Sequence, residues 1–256
     1  MNLRTVAMAP ILGLFAALFA AGPALAEEQH LKFRGYAYEL ESNKFLYTEV
    51  HEQRIVDGRW LGGSIAYYGP DGSQIAYKTL DFGSDPFVPV YRLDLKYSGY
   101  WEGITGLSPD RIEMSKRGSA QAKVESASIK RPARVAADSG FHAFLRANFA
   151  ELQAGKTVSF VFAVAGSLDS FKFRAKKVGD ATFEGRPAVK LRVEADSLLR
   201  LVAPELELLY EPTERKLLEY RGVSNLHDPV SGKAWNARII YPATPPADAP
   251  TLPAGT

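Results

Sequence analysis

"SIAYYGPDGSQIAYKTLDF", residues 64–82, decides the fold class. Two runs of β-forming residues flank a polar turn. Pro70 presets the backbone for that turn, Asp71 can bond its own backbone, and Gly72 can take the left-handed position that closes a hairpin. The same alternation continues on both sides. "KFRGYAYEL" (32–40) puts Tyr36, Tyr38 and Leu40 on one side. "KFLYTEVHEQ" (44–53) puts Phe45, Tyr47, Glu49 and His51 on one face and Leu46, Thr48 and Val50 on the other. "VYRLDLKYSGYWEGI" (90–104) and "RIEMSKRGSAQAKVESASIK" (111–130) extend the meander, with turns expected at Gly99 and Gly118.

One stretch breaks the pattern. In "AADSGFHAFLRANFAEL" (136–152), Phe141, Phe144, Leu145, Phe149 and Leu152 fall within about 140° of a helical wheel. The spacing predicts one amphipathic helix, with Asp138 as its N-cap and Gly155 just past its end. Asn148 sits at the centre of the apolar stripe, where an amide must find a backbone or water partner, or line a polar point in a cavity.

Beyond the helix, "KTVSFVFAVAG" (156–166) is apolar on nearly every residue and reads as a central strand covered on both faces. "SFKFRAKKV" and "RPAVKLRVEAD" read as alternating strands, and "SLLRLVAPEL" (197–206) as a short helix stopped by Pro204. Residues 206–242 read as a three-strand meander with turns near Pro212 and Gly232. No strand–helix–strand alternation occurs, so the sheet is expected to be antiparallel. The expected architecture is mainly β: a large curved antiparallel sheet, a half-barrel or open barrel of about twelve strands, packed around one amphipathic helix.

The ends read differently. Residues 1–26 have the form of a secretory signal peptide: Arg4, an apolar run and the small-residue site "ALA" (24–26). Cleavage there predicts a periplasmic or secreted chain with no membrane-spanning segment, a single β-rich domain over 27–241, and a disordered Pro/Ala-rich tail over 242–256. The sequence has no cysteine, which excludes a lipid-anchored cysteine and disulfides alike. A formal net charge of +2, with the signs interspersed, gives no basic stripe for nucleic acid.

Residues with the chemistry of a site are few. Asp138, Ser139 and His142 are the residue types of a hydrolytic triad, but no nucleophile elbow surrounds them, so a cap is expected for Asp138 and no catalytic role. Glu49 and His51 share a strand face at chelating spacing without a third ligand, so neither a metal nor another cofactor is expected. Asp81, Asp85, Asp94, Glu102 and Glu113 are carboxylates that a glycosidase could pair, but nothing in the sequence brings two together. "YSGYWEG" (97–103) clusters Tyr100 and Trp101, which can pack across strands or grip a ligand.

The segments "GYAYEL", "YYGPDGSQIAYKTLDF", "SGFHAFLR" and "LYEPTERKLLEYRGVSNLHD" resemble a family of secreted bacterial β-rich proteins of unknown function. In plan, a curved sheet around a central helix is similar to the periplasmic lipoprotein carriers, and that resemblance implies an apolar ligand in the concavity. Phe144, Asn148, Tyr100 and Trp101 are the expected contacts to a lipid or other apolar small molecule. A solid-cored scaffold for an envelope protein is the alternative, and a periplasmic hydrolase the second.

Overall fold

A computed structural model describes residues 27–196 and 205–253. The expected leader, residues 197–204 of the expected short helix, and residues 254–256 lie outside the described residues. The first half of the chain is a meander of β1 (Glu28–Glu39), β2 (Phe45–Val56), β3 (Arg59–Tyr68), β4 (Gln74–Asp81), β5 (Val90–Leu95), β6 (Trp101–Leu107), β7 (Arg111–Arg117) and β8 (Val124–Lys130). Then come β9 (Val135–Ala137), α1 (Gly140–Ala147) and α2 (Phe149–Gln153). The second half is β10 (Val158–Val164), β11 (Asp169–Phe183), β12 (Arg186–Ala195), β13 (Leu206–Tyr210), β14 (Leu217–His227) and β15 (Ala234–Ile240).

Among the described residues, fifteen strands form one sheet, ordered β8 to β1 and then β15 to β9. The first and last strands meet in its middle, where Tyr36 pairs with Ile240. Every junction is antiparallel except β9–β10, which is parallel. The sheet curves without closing, with β8 and β9 as its edges. Register shifts within β1–β2, β2–β3, β3–β4 and β6–β7 bend its strands. The hairpin at residues 64–82 forms as expected: Gly69 and Ser73 close it, and Gly72 takes φ 76°.

Two main cores pack within the concavity. Under β2–β7 the inward side chains, among them Tyr47, Leu93, Ile104 and Met114, pack against Val135 and Ala137 of β9. Under β10–β13, Phe141, Phe144 and Leu145 of α1 with Phe149 and Leu152 of α2 cover Phe160, Ala175, Leu191, Val193 and Leu208. Each aromatic buried there contributes about 1.5–3 kcal/mol.

Several expectations need correction. The helix is two short helices, because Asn148 ends the first: its Nδ2 donates to the Phe144 carbonyl at 2.8 Å and its Oδ1 accepts from Arg134 at 3.0 Å. The apolar strand β10 lies next to the edge, not at the centre. It is apolar on both sides because Phe160 meets α1 while Val161 packs against the other core. Residues 242–253, expected as part of a disordered tail, make defined contacts: Tyr38 donates to Asp248 Oδ1 at 2.9 Å, and the Ala249 amide bonds the Pro246 carbonyl.

Candidate functional site

Between α1 and the inner faces of β1–β4 and β10–β14 lies a cavity of about 1400 Å³. Gly58 and Lys216 line it from the β2–β3 and β13–β14 turns and Arg186 from the start of β12, all at one end of the sheet, which places its mouth there. Phe141, Phe160, Phe162 and Phe173 form one wall, with Val193, Leu206 and Leu208 beside them. The opposite wall is polar, and strand register explains its make-up.

Two rows of inward residues cross β1 to β4. One reads Phe33, His51, Ile65, Lys78; the next reads Gly35, Glu49, Tyr67, Ala76. In the second row two small residues, Gly35 and Ala76, flank two large ones, Glu49 and Tyr67. A Cβ on Gly35 would stand 2.6 Å from the Tyr241 ring, and the missing side chain lets Tyr241 reach Glu49. The Tyr241 hydroxyl donates to Glu49 Oε2 at 3.0 Å, and His51 Nε2 lies 2.9 Å from the same oxygen. Phe33 stacks on the His51 ring at 4.4 Å.

Lys78 is the unexpected member. Its side chain is 3% exposed and donates to Asp138 Oδ2 at 2.6 Å, while that carboxylate is 1% exposed. Asp138 therefore does not cap the helix. The N-cap residue is Ser139, without a side-chain cap bond. Asp138 stands at φ 42°, which aims its carboxylate at the sheet. There Oδ1 accepts the Ser139 amide and hydroxyl at 2.6 and 2.7 Å, and Oδ2 also accepts from Asn225 at 2.7 Å. Four donors compensate the desolvation of that carboxylate.

The triad residue types do not form a triad. Ser139 spends its hydroxyl on Asp138, and His142 Nδ1 lies 3.0 Å from the Tyr210 hydroxyl, its ring stacked on the tyrosine. Burial pushes the His142 pKa down to about 3, with Arg146 and His51 adding to the shift, so a neutral imidazole faces a tyrosine that burial keeps protonated. Two strands further along the first row, Glu102 follows Lys78 and Leu93. Burial raises its pKa and nearby Asp138 adds to this, while the hydroxyls of Tyr100 at 2.5 Å and Tyr91 at 3.2 Å, with Lys78, oppose it.

The four expected ligand contacts lie elsewhere. Phe144 is in the helix core, edge-on to Phe87, and Asn148 is the helix break. Tyr100 holds Glu102, and Trp101 carries the Arg92 guanidinium 4.1 Å from its ring. None of these four lines the cavity, and neither do Asp81, Asp85, Asp94, Glu102 or Glu113. Among the described residues no group of three or more His, Cys, Asp or Glu could hold a metal ion, and no helix is long and apolar enough to cross a membrane. Sequence reasoning missed Lys78 and Tyr67. Their signal was available: Lys78 alternates in phase with Ala76 and Leu80, on the apolar face of its strand.

No protein-family model matches the chain. No curated protein matches it. Among solved structures, it is similar to a β-barrel-like protein of Domain of Unknown Function DUF1849 from Brucella abortus. That match has a TM-score of 0.49 and 7% sequence identity, and covers 84% of this chain and 98% of the other.

Proposed function

We propose that this is an exported, periplasmic binding module that holds a lipid or other long apolar molecule between its curved sheet and its helix. The observation that carries this reading is the cavity of about 1400 Å³ with its aromatic wall. Small-molecule sites commonly measure about 300–1,000 Å³ and are mostly apolar with a few placed polar groups. A larger space with an apolar wall facing a polar one suits a chain with a polar end. The wall of Phe141, Phe160, Phe162 and Phe173 supplies the hydrophobic contact. The polar wall supplies orientation.

The test is native mass spectrometry of the protein purified from its own cells, followed by organic extraction of whatever is released. A stoichiometric apolar adduct is the expected result. A clean mass, together with no uptake of any offered apolar molecule, overturns the reading.

A further inference from the structure

The polar wall holds a donor with no acceptor among the described residues. Tyr67 is 3% exposed and lines the cavity, yet among the described residues its hydroxyl has no hydrogen-bond partner. The oxygen is not among the atoms sealed away from open space without a partner, so it faces the cavity. Its neighbours are otherwise engaged. Glu49, directly opposite on β2, has its Oε2 taken by Tyr241 and His51, and Ala76 on the other side has no side-chain donor or acceptor. Lys78 lies diagonally across from Tyr67 on the same inward face, close enough for both to meet one group. Its ammonium has three donors, and among the described residues Asp138 is its one hydrogen-bond acceptor, with the Tyr91 ring 5.6 Å away.

We propose that Tyr67, with Lys78 beside it, is the head-group site of this cavity, and that it takes an uncharged oxygen acceptor such as an ester carbonyl at the end of an apolar chain. This deepens the proposed function and rests on it. The preference for a neutral head follows from the charges on that wall. Asp138 already neutralises Lys78, Glu49 stands across from Tyr67, and the neutral His142 contributes no positive charge. A free carboxylate there would meet two acidic side chains and one ammonium already paired. An ester or hydroxyl oxygen can accept from Tyr67 without setting a negative charge against those two carboxylates. The Tyr67 hydroxyl keeps its proton for this, since burial, then Glu49 and Asp138, hold its pKa well above the ordinary value.

The experiment is displacement of a fluorescent apolar probe, N-phenyl-1-naphthylamine, from the mature protein and from Tyr67→Phe. The competitors are methyl palmitate, palmitate and hexadecane. Methyl palmitate is expected to compete about tenfold better than either of the others. In Tyr67→Phe that advantage over hexadecane should largely vanish, while hexadecane competes as before. Melting of the empty variant should be unchanged or higher, since no bond is lost, and this confirms that it folds. An ester no better than hexadecane, palmitate as the best competitor, or an advantage kept in full by Tyr67→Phe each overturns the head-group site while leaving chain binding intact. Failure of even the probe and hexadecane to bind removes the cavity reading, and this inference with it.

Discussion

The inner faces of β10–β13 and of β2–β4 belong to one sheet and obey one alternation, yet they are built on opposite principles. Under the helix the inward positions are Phe160, Phe173, Ala175, Leu191 and Leu208, and the helix is pressed onto them. On β2–β4 the corresponding positions include Glu49, His51, Tyr67 and Lys78. The first face is stabilised by excluding water. The second is stable only because its charges are partnered, and a buried pair adds little stability over a well-packed apolar one. A fold that needed only a core would have no use for the second face. Its retention beside a cavity is the feature of the molecule most in need of a functional account.

The sharpest way to break the comparison is at Asp138. Removing it by Asp138→Ala leaves the Lys78 ammonium buried without an acceptor, so a loss of about 3–5 kcal/mol is expected, measured by urea unfolding. A helix cap would cost only about 1 kcal/mol, so a loss of that size would return Asp138 to the role its position in the sequence suggests. Lys78→Met combined with Asp138→Asn should recover much of the loss, because neither charge then remains.

On the apolar face the matching change is Phe144→Ala. Phe144 is 3% exposed and packs against Phe87 and Phe160. Deleting the ring leaves a cavity, at an expected cost of about 3–5 kcal/mol. Both faces are thus fragile, for different reasons. Salt should hardly change either loss, because the ring is apolar and the Lys78–Asp138 pair is buried away from screening ions; a charge-pair loss that shrank at high salt would mean that the pair opens to solvent.

How much of this was legible in the sequence follows the same division. The strands, the hairpin at Pro70–Gly72 and the stripe of Phe141, Phe144, Leu145, Phe149 and Leu152 are local patterns, and local patterns fix them. Asn148 at the centre of the stripe was a visible irregularity, and it marks where the helix breaks. The polar wall was not legible because it is assembled by pairing. Lys78 and Asp138 are far apart in sequence, and Tyr67 meets Glu49 only through the β2–β3 register. Asp138 was misread for a physical reason: an aspartate before a helix is ordinarily a cap, and only its positive φ sends the carboxylate to the sheet. The expected ligand contacts do not line the cavity, because aromatics such as Trp101 serve packing and ligands equally well in sequence.

The second row gives a smaller, steric test of the polar wall. Gly35→Ala would place a methyl group against the Tyr241 ring and 3.0 Å from Glu49 Oε2. Displacing Tyr241 should cost about 1–3 kcal/mol as overpacking and free one acceptor on Glu49. Unchanged melting would show that Tyr241 can move aside at no cost, and that the glycine is not what holds this part of the wall.

The smallest expected effect at neutral pH concerns His142, where the two faces meet. Its pKa lies near 3 in the folded protein, against about 6.5 in the unfolded chain. The unfolded state therefore binds more protons between these values. The stability contributed by the neutral imidazole is fully present above about pH 6.5 and is lost as pH falls towards 3. One such group gives a slope of at most about 1.4 kcal/mol per pH unit. Glu102, whose pKa is raised, has the opposite sign just above the ordinary carboxylate range, so the total slope there is smaller than His142 alone would give. His142→Gln should flatten the stability profile between about pH 4 and 6.5 and leave the profile above pH 7 unchanged in shape. A variant with the same acid slope as the parent would mean that His142 reaches solvent through the cavity and protonates without leaving Tyr210. The cavity would then be wet at this wall, and a chain bound there would have to displace water as well as fill space.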